Sequence, residues 1–233
     1  HRIVAKIEEL FSSLDKGIES LKTARAQLKT YRQAVLKWAF EGKLTNAHVK
    51  DGELPEGWKW VQLGDMIHSI EAGKSFKCEE RPPQRDDTGV LKVSAVTWGI
   101  FNEEESKTVL DLEKIKLRNV VKVGDFLFSR ANTLELVGAV VKVHAITKKL
   151  LLSDKTLRLR FIEIQINDNY ALYFLKSQFG RKQIQQNSTG NQESMRNIGQ
   201  DGIRRINIPL APLPEQSRIV AEIEKRLSVC DTL

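Results

Sequence analysis

Cysteine, histidine and long apolar runs are all scarce in this chain, and each scarcity closes off a class of protein. Cys78 and Cys230 are far apart and outside any CxxC pair, so no disulfide framework is expected and a reducing cytoplasm is the simpler setting. His1, His48, His68 and His144 are isolated from one another and from both cysteines, leaving no metal-ligand spacing to read. No apolar run reaches the roughly 18 residues of a membrane helix, and no basic tip followed by an apolar stretch marks a leader. Catalytic motifs are missing too. Gly73-Lys74-Ser75 has His68 where a phosphate-binding loop needs its first glycine. Arg81-Pro82-Pro83-Gln84 has the wrong neighbours for an Asn/Asp-Pro-Pro-aromatic methyltransferase motif, and a glycine-rich methyl-donor loop is absent. Ser94 and Ser153 lack a histidine placed to activate them. The chain is therefore expected not to be an enzyme, with no catalytic residue, no metal ligand and no cofactor of its own.

What is present points to an acidic partner. Lysine and arginine exceed aspartate and glutamate by 37 to 30, a net charge of +7, which suits nucleic acid because each neutralised phosphate releases counterions. Apolar residues make up 41% of the 233, enough for the core of one domain beside an extended element. The chain opens at His1 without methionine, which suggests a piece of something longer.

Residues 2–40 contain no proline. Ile7, Leu14, Leu21, Leu28 and Val35 recur at heptad spacing, and Leu10, Gly17, Ala24, Tyr31 and Trp38 fill the companion register. This predicts a coiled-coil helix, with Ile7, Leu10, Leu14, Gly17, Leu21, Ala24, Leu28, Tyr31 and Val35 as its interface. At about 1.5 Å per residue it reaches about 55 Å, too long to bury a continuous seam on one domain. Either it packs on its own domain or it takes a partner helix, and its length favours the second. Gly42 stops it, and residues 43–53 form a polar linker with Asp51-Gly52 as a turn.

The two ends repeat each other. Arg218-Ile219-Val220-Ala221-Glu222-Ile223-Glu224 copies Arg2-Ile3-Val4-Ala5-Lys6-Ile7-Glu8 almost letter for letter, and Ser228 and Asp231 match Ser12 and Asp15 in the same frame. Pro209, Pro212 and Pro214 precede the second copy, which runs to Leu233. A unit of helix followed by globular domain is expected to begin again there, either within one longer chain or by pairing of two chains.

Between the helices, residues 54–210 change to short apolar runs broken by Gly, Asn and Asp. Strands are expected at Lys59–Gln62, 90–96, 120–123, Phe126–Ser129, 136–143, 150–152 and 157–162, with helices at 63–67 and 168–186. The fold class is α+β: a mixed α/β domain flanked by a long coiled-coil helix.

These residues resemble a known family. Leu54-Pro55-Glu56-Gly57-Trp58-Lys59-Trp60-Val61 with Leu63-Gly64-Asp65 is similar to the opening of the target recognition domain of type I restriction-modification specificity subunits. The run from Val123 through Gly124-Asp125-Phe126 to Arg130-Ala131-Asn132 resembles its central strand and loop. Ser188-Thr189-Gly190, Asn197-Ile198 and Ile206-Asn207-Ile208-Pro209-Leu210 resemble its closing segment. Pro214-Glu215-Gln216 and Ala39-Phe40-Glu41-Gly42-Lys43-Leu44-Thr45 match its conserved-helix boundaries. The resemblance implies a domain that reads one half of a split site in double-stranded DNA, with paired helices as a ruler. It also implies docking of adenine methyltransferase subunits, which bind S-adenosylmethionine, and of a restriction subunit. One recognition domain is present, so a second half is expected by antiparallel helix pairing, in the same chain or a homodimer. The implied boundaries are 1–42 for the helix, 43–53 for the linker, 54–210 for the recognition domain and 211–233 for the start of the next helix.

Base reading needs side chains on loops, with cations around them to hold phosphates. Three loops qualify: Lys74, Ser75 and Lys77, continuing to Arg81; Arg130, Asn132 and Thr133; and Asn187, Ser188, Thr189, Asn191 and Gln192, flanked by Arg181, Lys182 and Arg196. Thr97 and Trp98 lie in a further turn. Two other readings stay open: a coiled-coil protein-interaction module without DNA readout, and a small metal-dependent nuclease using Asp86 or Asp87 with Glu105-Ser106-Lys107.

Overall fold

The computed structural model describes residues 2–46 and 48–231, with side chains through residue 228. The readings placed on His1, on Leu233 and on the side chains of Cys230 and Asp231 lie outside the described residues. In chain order the elements are α1 (Arg2–Phe40), β1 (Lys59–Gln62), α2 (Leu63–Met66), β2 (Ile67–Ala72), β3 (Cys78–Glu79), β4 (Thr88–Leu91) and α3 (Ser94–Thr97). There follow β5 (Ser106–Val109), β6 (Phe126–Ser129), β7 (Ala131–Asn132), β8 (Val140–Lys142), β9 (Lys149–Leu151) and β10 (Thr156–Phe161). The chain closes with α4 (Asp168–Lys176), α5 (Gln178–Asn187), β11 (Thr189–Gln192), β12 (Met195–Asn197), α6 (Gln200–Arg204), β13 (Asn207–Leu210) and α7 (Leu213–Asp231).

The centre is an antiparallel sheet ordered β2-β10-β6-β8. Its central strand β6, Phe-Leu-Phe-Ser, is buried at every position because both of its faces are covered. Phe126 and Phe128 of β6 face a core shared with α1, α4, α5 and α7, whereas Leu127 between them joins a second core with Leu91, Val96 and Leu150. A second sheet, β3-β5-β4-β9, pairs β4 and β9 in parallel and supplies that other layer. A small sheet of β1 and β13 ties the two ends of the globular part together, Lys59 opposite Leu210 and Gln62 opposite Asn207.

One charged group enters the sheet. Arg158 lies between Leu157 and Leu159 on β10, so it points to the face opposite them and is 2% exposed. Its guanidinium donates to Asp125 Oδ2 at 2.6 Å, to Glu71 Oε2 from both Nε and Nη2, and to the Val120 and Arg118 carbonyls. The pairing removes the cost that an isolated buried charge would carry.

α1 spans the predicted residues, and Gly42 at φ +77 follows it, a conformation that glycine adopts freely. Its last turns are core: Val35, Leu36, Ala39 and Phe40 are buried, and Phe40 packs edge-on against Tyr170 at 5.1 Å and Phe174 at 5.2 Å. Residues 2–27 are exposed throughout, so about 39 Å of helix stands clear of the domain. Of the interface residues read from the heptads, Ile7, Leu10, Leu14, Leu21 and Tyr31 are exposed, Gly17 and Ala24 lie in the same exposed stretch, and Leu28 is half-buried. Val35 departs from that set, because its side chain belongs to this chain's own core.

α7 runs back along the end of α1. Glu215 in its first turn accepts from Thr45 Oγ1 at 2.9 Å, Asn46 Nδ2 at 2.7 Å and Trp58 Nε1 at 3.0 Å. Further on, Leu227 shares a hollow with Arg32 and Leu36, so the two helices are antiparallel. Gln216, fully buried, accepts from the Asn167 amide and donates to the Ala211 carbonyl.

Several expected elements change on folding. The strand expected at 90–96 ends at Leu91, and a helical turn, α3, replaces its second half. Residues 120–123 contribute a single bridge, Val120 to Leu151. The strand expected at 136–143 is preceded by a turn and reduces to β8. The helix expected at 168–186 breaks at Ser177, whose hydroxyl accepts from the Gly180 amide and so caps a second helix, α5. Strands β2, β3, β5, β7, β11, β12 and β13 were not anticipated.

Candidate nucleic-acid interface

The second and third candidate loops are one structure. Beyond β6 the backbone of Arg130 is clamped, its amide donating to the Lys155 carbonyl at 3.0 Å and its carbonyl accepting from the Ile198 amide at 2.9 Å. β7 then pairs with β12, Asn132 opposite Arg196, and β12 pairs with β11. The result is a three-stranded ribbon in which Thr189, Asn191 and Gln192 are exposed and Arg130 and Asn132 are half-exposed. Amides and guanidiniums of this kind are the groups that can pair with adenine and guanine edges.

The ribbon is held by some of the residues first read as contacts. Arg196 donates to the Ser188 and Gly190 carbonyls, bracing β11. Ser188 is buried and donates to the Gln185 carbonyl at 2.7 Å, and Asn187 donates to Gln183, so both close the end of α5. Arg181 donates to the Glu135 carbonyl at 2.8 Å, and burial holds its guanidinium below its ordinary pKa. Lys182 is exposed, and Thr133 is half-exposed, its amide donating to its neighbour Asn132. Asn132 Nδ2 donates to Thr97 Oγ1 at 3.2 Å, so the 97–98 turn joins the ribbon, with Trp98 72% exposed beside it. That turn exists because α3 replaced a strand.

The first loop lies apart, over the second sheet. Lys74 bridges to Ser153. A Cβ on Gly73 would sit 2.0 Å from the Leu152 carbonyl oxygen, so this crossing requires glycine. Lys74 and Ser75 line a groove with Lys92, Lys107, Lys155, Glu80 and Asp154. The groove adjoins the ribbon through Lys155, whose carbonyl receives Arg130. Lys77 is exposed, its amide donating to Asp111. Arg81 is committed to Glu79 and Asp87, and those carboxylates raise its pKa, Asp87 most. Sequence reasoning did not single out Lys92 and Lys155 for this groove, because a lone lysine at a strand end carries no local pattern.

Asp87, Glu105 and Lys107, considered for nuclease chemistry, are bonded to other groups. Asp87 accepts from Gln84 and Arg81, Glu105 accepts from Ser94 Oγ, and Lys107 pairs with Glu80. Among the described residues no group of three His, Cys, Asp or Glu is positioned to hold a metal, and no helix is long and apolar enough to cross a membrane.

Residues 55–231 match the profile of the type I restriction modification DNA specificity domain. The chain belongs to that family. This specificity domain is 28% identical to the specificity subunit of the type I restriction enzyme EcoEI of Escherichia coli, a match covering 98% of this chain and 45% of the relative. Its fold is similar to the HsdS subunit of Thermoanaerobacter tengcongensis, with a TM-score of 0.52 at 19% identity over 99% of this chain and 51% of that one. It is also similar to a chain from a structure concerned with complex assembly and conformational transition of the type I restriction-modification system. There the TM-score is 0.57 at 20% identity over 99% of this chain and 52% of the other. The specificity domain thus spans about half the length of the curated relatives it matches.

Proposed function

We propose that this chain reads one half of a bipartite site in double-stranded DNA, as half of a non-catalytic specificity subunit. The observation that carries the reading is the ribbon: two segments far apart in sequence, 130–132 and the 189–197 hairpin, converge to present Arg130, Asn132, Thr189, Asn191 and Gln192 together. The lysine groove beside it suits phosphates, which fix position without reading sequence. In this reading, residues 1–42 form the ruler, 43–53 a linker, 54–210 the recognition domain and 211–233 the next helix. The proposed partners are adenine methyltransferase subunits and a restriction subunit, in the cytoplasm. A random duplex pool bound at several salt concentrations tests this. Enrichment of one short consensus is expected, and no enrichment at low salt would refute it.

A second unit of the same fold is the other part of the proposal. In α7, Ile219, Val220 and Ile223 are buried and Leu227 is half-buried against this domain. Their counterparts in α1 are Ile3, Val4, Ile7 and Phe11, at 77%, 56%, 46% and 61% exposure. Three identical side chains in the same frame, with Phe11 in the place of Leu227, would cap a second domain at the far end of α1. From residue 3 to residue 35 the helix rises about 48 Å, or about fourteen base-pair steps.

A further inference from the structure

One face of α1 changes character twice along its length. Ile3, Val4, Ile7, Phe11, Leu14 and Ile18 form an exposed apolar stripe at the N-terminal end. Leu36, Ala39 and Phe40 continue that face at the other end, buried in the core. Between them, at 100° per residue, Lys22, Arg25, Lys29 and Arg32 fall on the same face within about 80° of arc. An amphipathic helix keeping one partner would continue its apolar stripe here. Four cations take the centre of the face instead, and Leu21 is left at its edge.

These cations border a hollow of about 810 Å³ whose opposite rim is Trp98. Glu19 is held by Lys22 at 2.8 Å, and among the described residues neither Arg25 nor Lys29 is in an ion pair. Arg32 reaches a second hollow shared with Lys176 and Arg181, where Glu135 stands at the rim. Lys176 donates to the Gly99 carbonyl at 3.0 Å. Burial, and then the charge of Arg32, hold its ammonium below the ordinary lysine pKa. Positive side chains thus cluster on this face, with Lys29 and Arg25 turned to solvent. The hollow also continues the reading surface, because Thr97 next to Trp98 receives the Asn132 amide.

We infer that Lys22, Arg25, Lys29 and Arg32 form a second phosphate-binding row, which holds the backbone of the DNA flanking the half-site where it passes α1. This rests on the DNA-reading proposal and adds a role for the helix itself. The ruler then sets the spacing of two domains and also grips the unread DNA between them. Such contacts contribute affinity and salt dependence and carry no base preference.

The test compares Arg25→Ala/Lys29→Ala with the unaltered chain on two duplexes carrying the selected half-site. One duplex ends at the half-site, and the other extends about 15 base pairs on either side. The unaltered chain is expected to bind the long duplex more tightly. The double variant should lose about tenfold there, with the slope of log affinity against log salt shallower by about 2, while matching the unaltered chain on the short duplex. Circular dichroism and urea unfolding should be unchanged, since both side chains are exposed. Equal affinity and slope of the two proteins on the long duplex would overturn the inference, as would an equal loss on both duplexes. Unchanged DNA binding with lost capture of a methyltransferase subunit would reassign the row to protein docking and overturn it too. If the unaltered chain binds neither duplex, the DNA-reading proposal fails first and takes this one with it.

Discussion

Ile7 and Ile223 sit in the same local sequence, Arg-Ile-Val-Ala-Lys/Glu-Ile-Glu, yet one is 46% exposed and the other is fully buried. Replacing each by alanine separates local from tertiary contributions. At Ile223 the loss combines transfer of the removed methyl groups with the cavity left beside Ile219 and α4, about 2–5 kcal/mol. In a chain of this size that lowers the melting midpoint by about 4–20 °C. At Ile7 no cavity forms, and alanine is the better helix former by a few tenths of a kcal/mol, so stability should stay within about 0.5 kcal/mol. Urea unfolding at low micromolar concentration, with the midpoint and slope fitted for each variant, measures both. Ile7→Ala should matter only where α1 is partnered, weakening self-association seen by sedimentation at high concentration or recovery of the second unit in a longer chain. Comparable destabilisation of the dilute monomer by both substitutions would refute the claim that the N-terminal end of α1 is an unfilled copy of a buried helix.

Other expectations concern the buried charges, the helix junction and the reading surface. Arg158→Met should cost about 3–5 kcal/mol, because Asp125 stays buried with Arg160 3.6 Å away as its remaining cation; a loss under 1 kcal/mol in thermal melts would contradict it. Burial works against ionisation of Glu71, but hydrogen bonds from Arg158 and then Arg160 outweigh it and hold the carboxyl below its ordinary 4.5. That stability is complete above the ordinary value and is lost as pH falls through the lower folded one, so Arg158→Met should flatten the acid limb of a stability–pH curve. Glu215→Ala strips three donors of their acceptor at the α1–α7 junction and should cost about 1–3 kcal/mol by urea unfolding. Arg130→Ala should weaken specific binding by about 1–3 kcal/mol and relax one base position, whereas equal loss on random DNA would remove its base-reading role.

Local rules carried the reading of this protein where a pattern is periodic or where one residue type is obligatory. The 39-residue span of α1, its arrest at Gly42, the strands β1 and β6, and the copied helix at 218–224 all follow from spacing alone. Those patterns reflect backbone geometry, which neighbours in sequence already set. Tertiary structure decided the rest. Ser177 divided an apparently continuous helix because its hydroxyl found an amide to cap. The 189–197 hairpin joined Ala131-Asn132 in one ribbon because Asn132 and Arg196 meet across a gap in sequence that no local pattern spans. Identical Ile-Val-Ala segments became core at one end and open surface at the other, because burial depends on what folds against a helix.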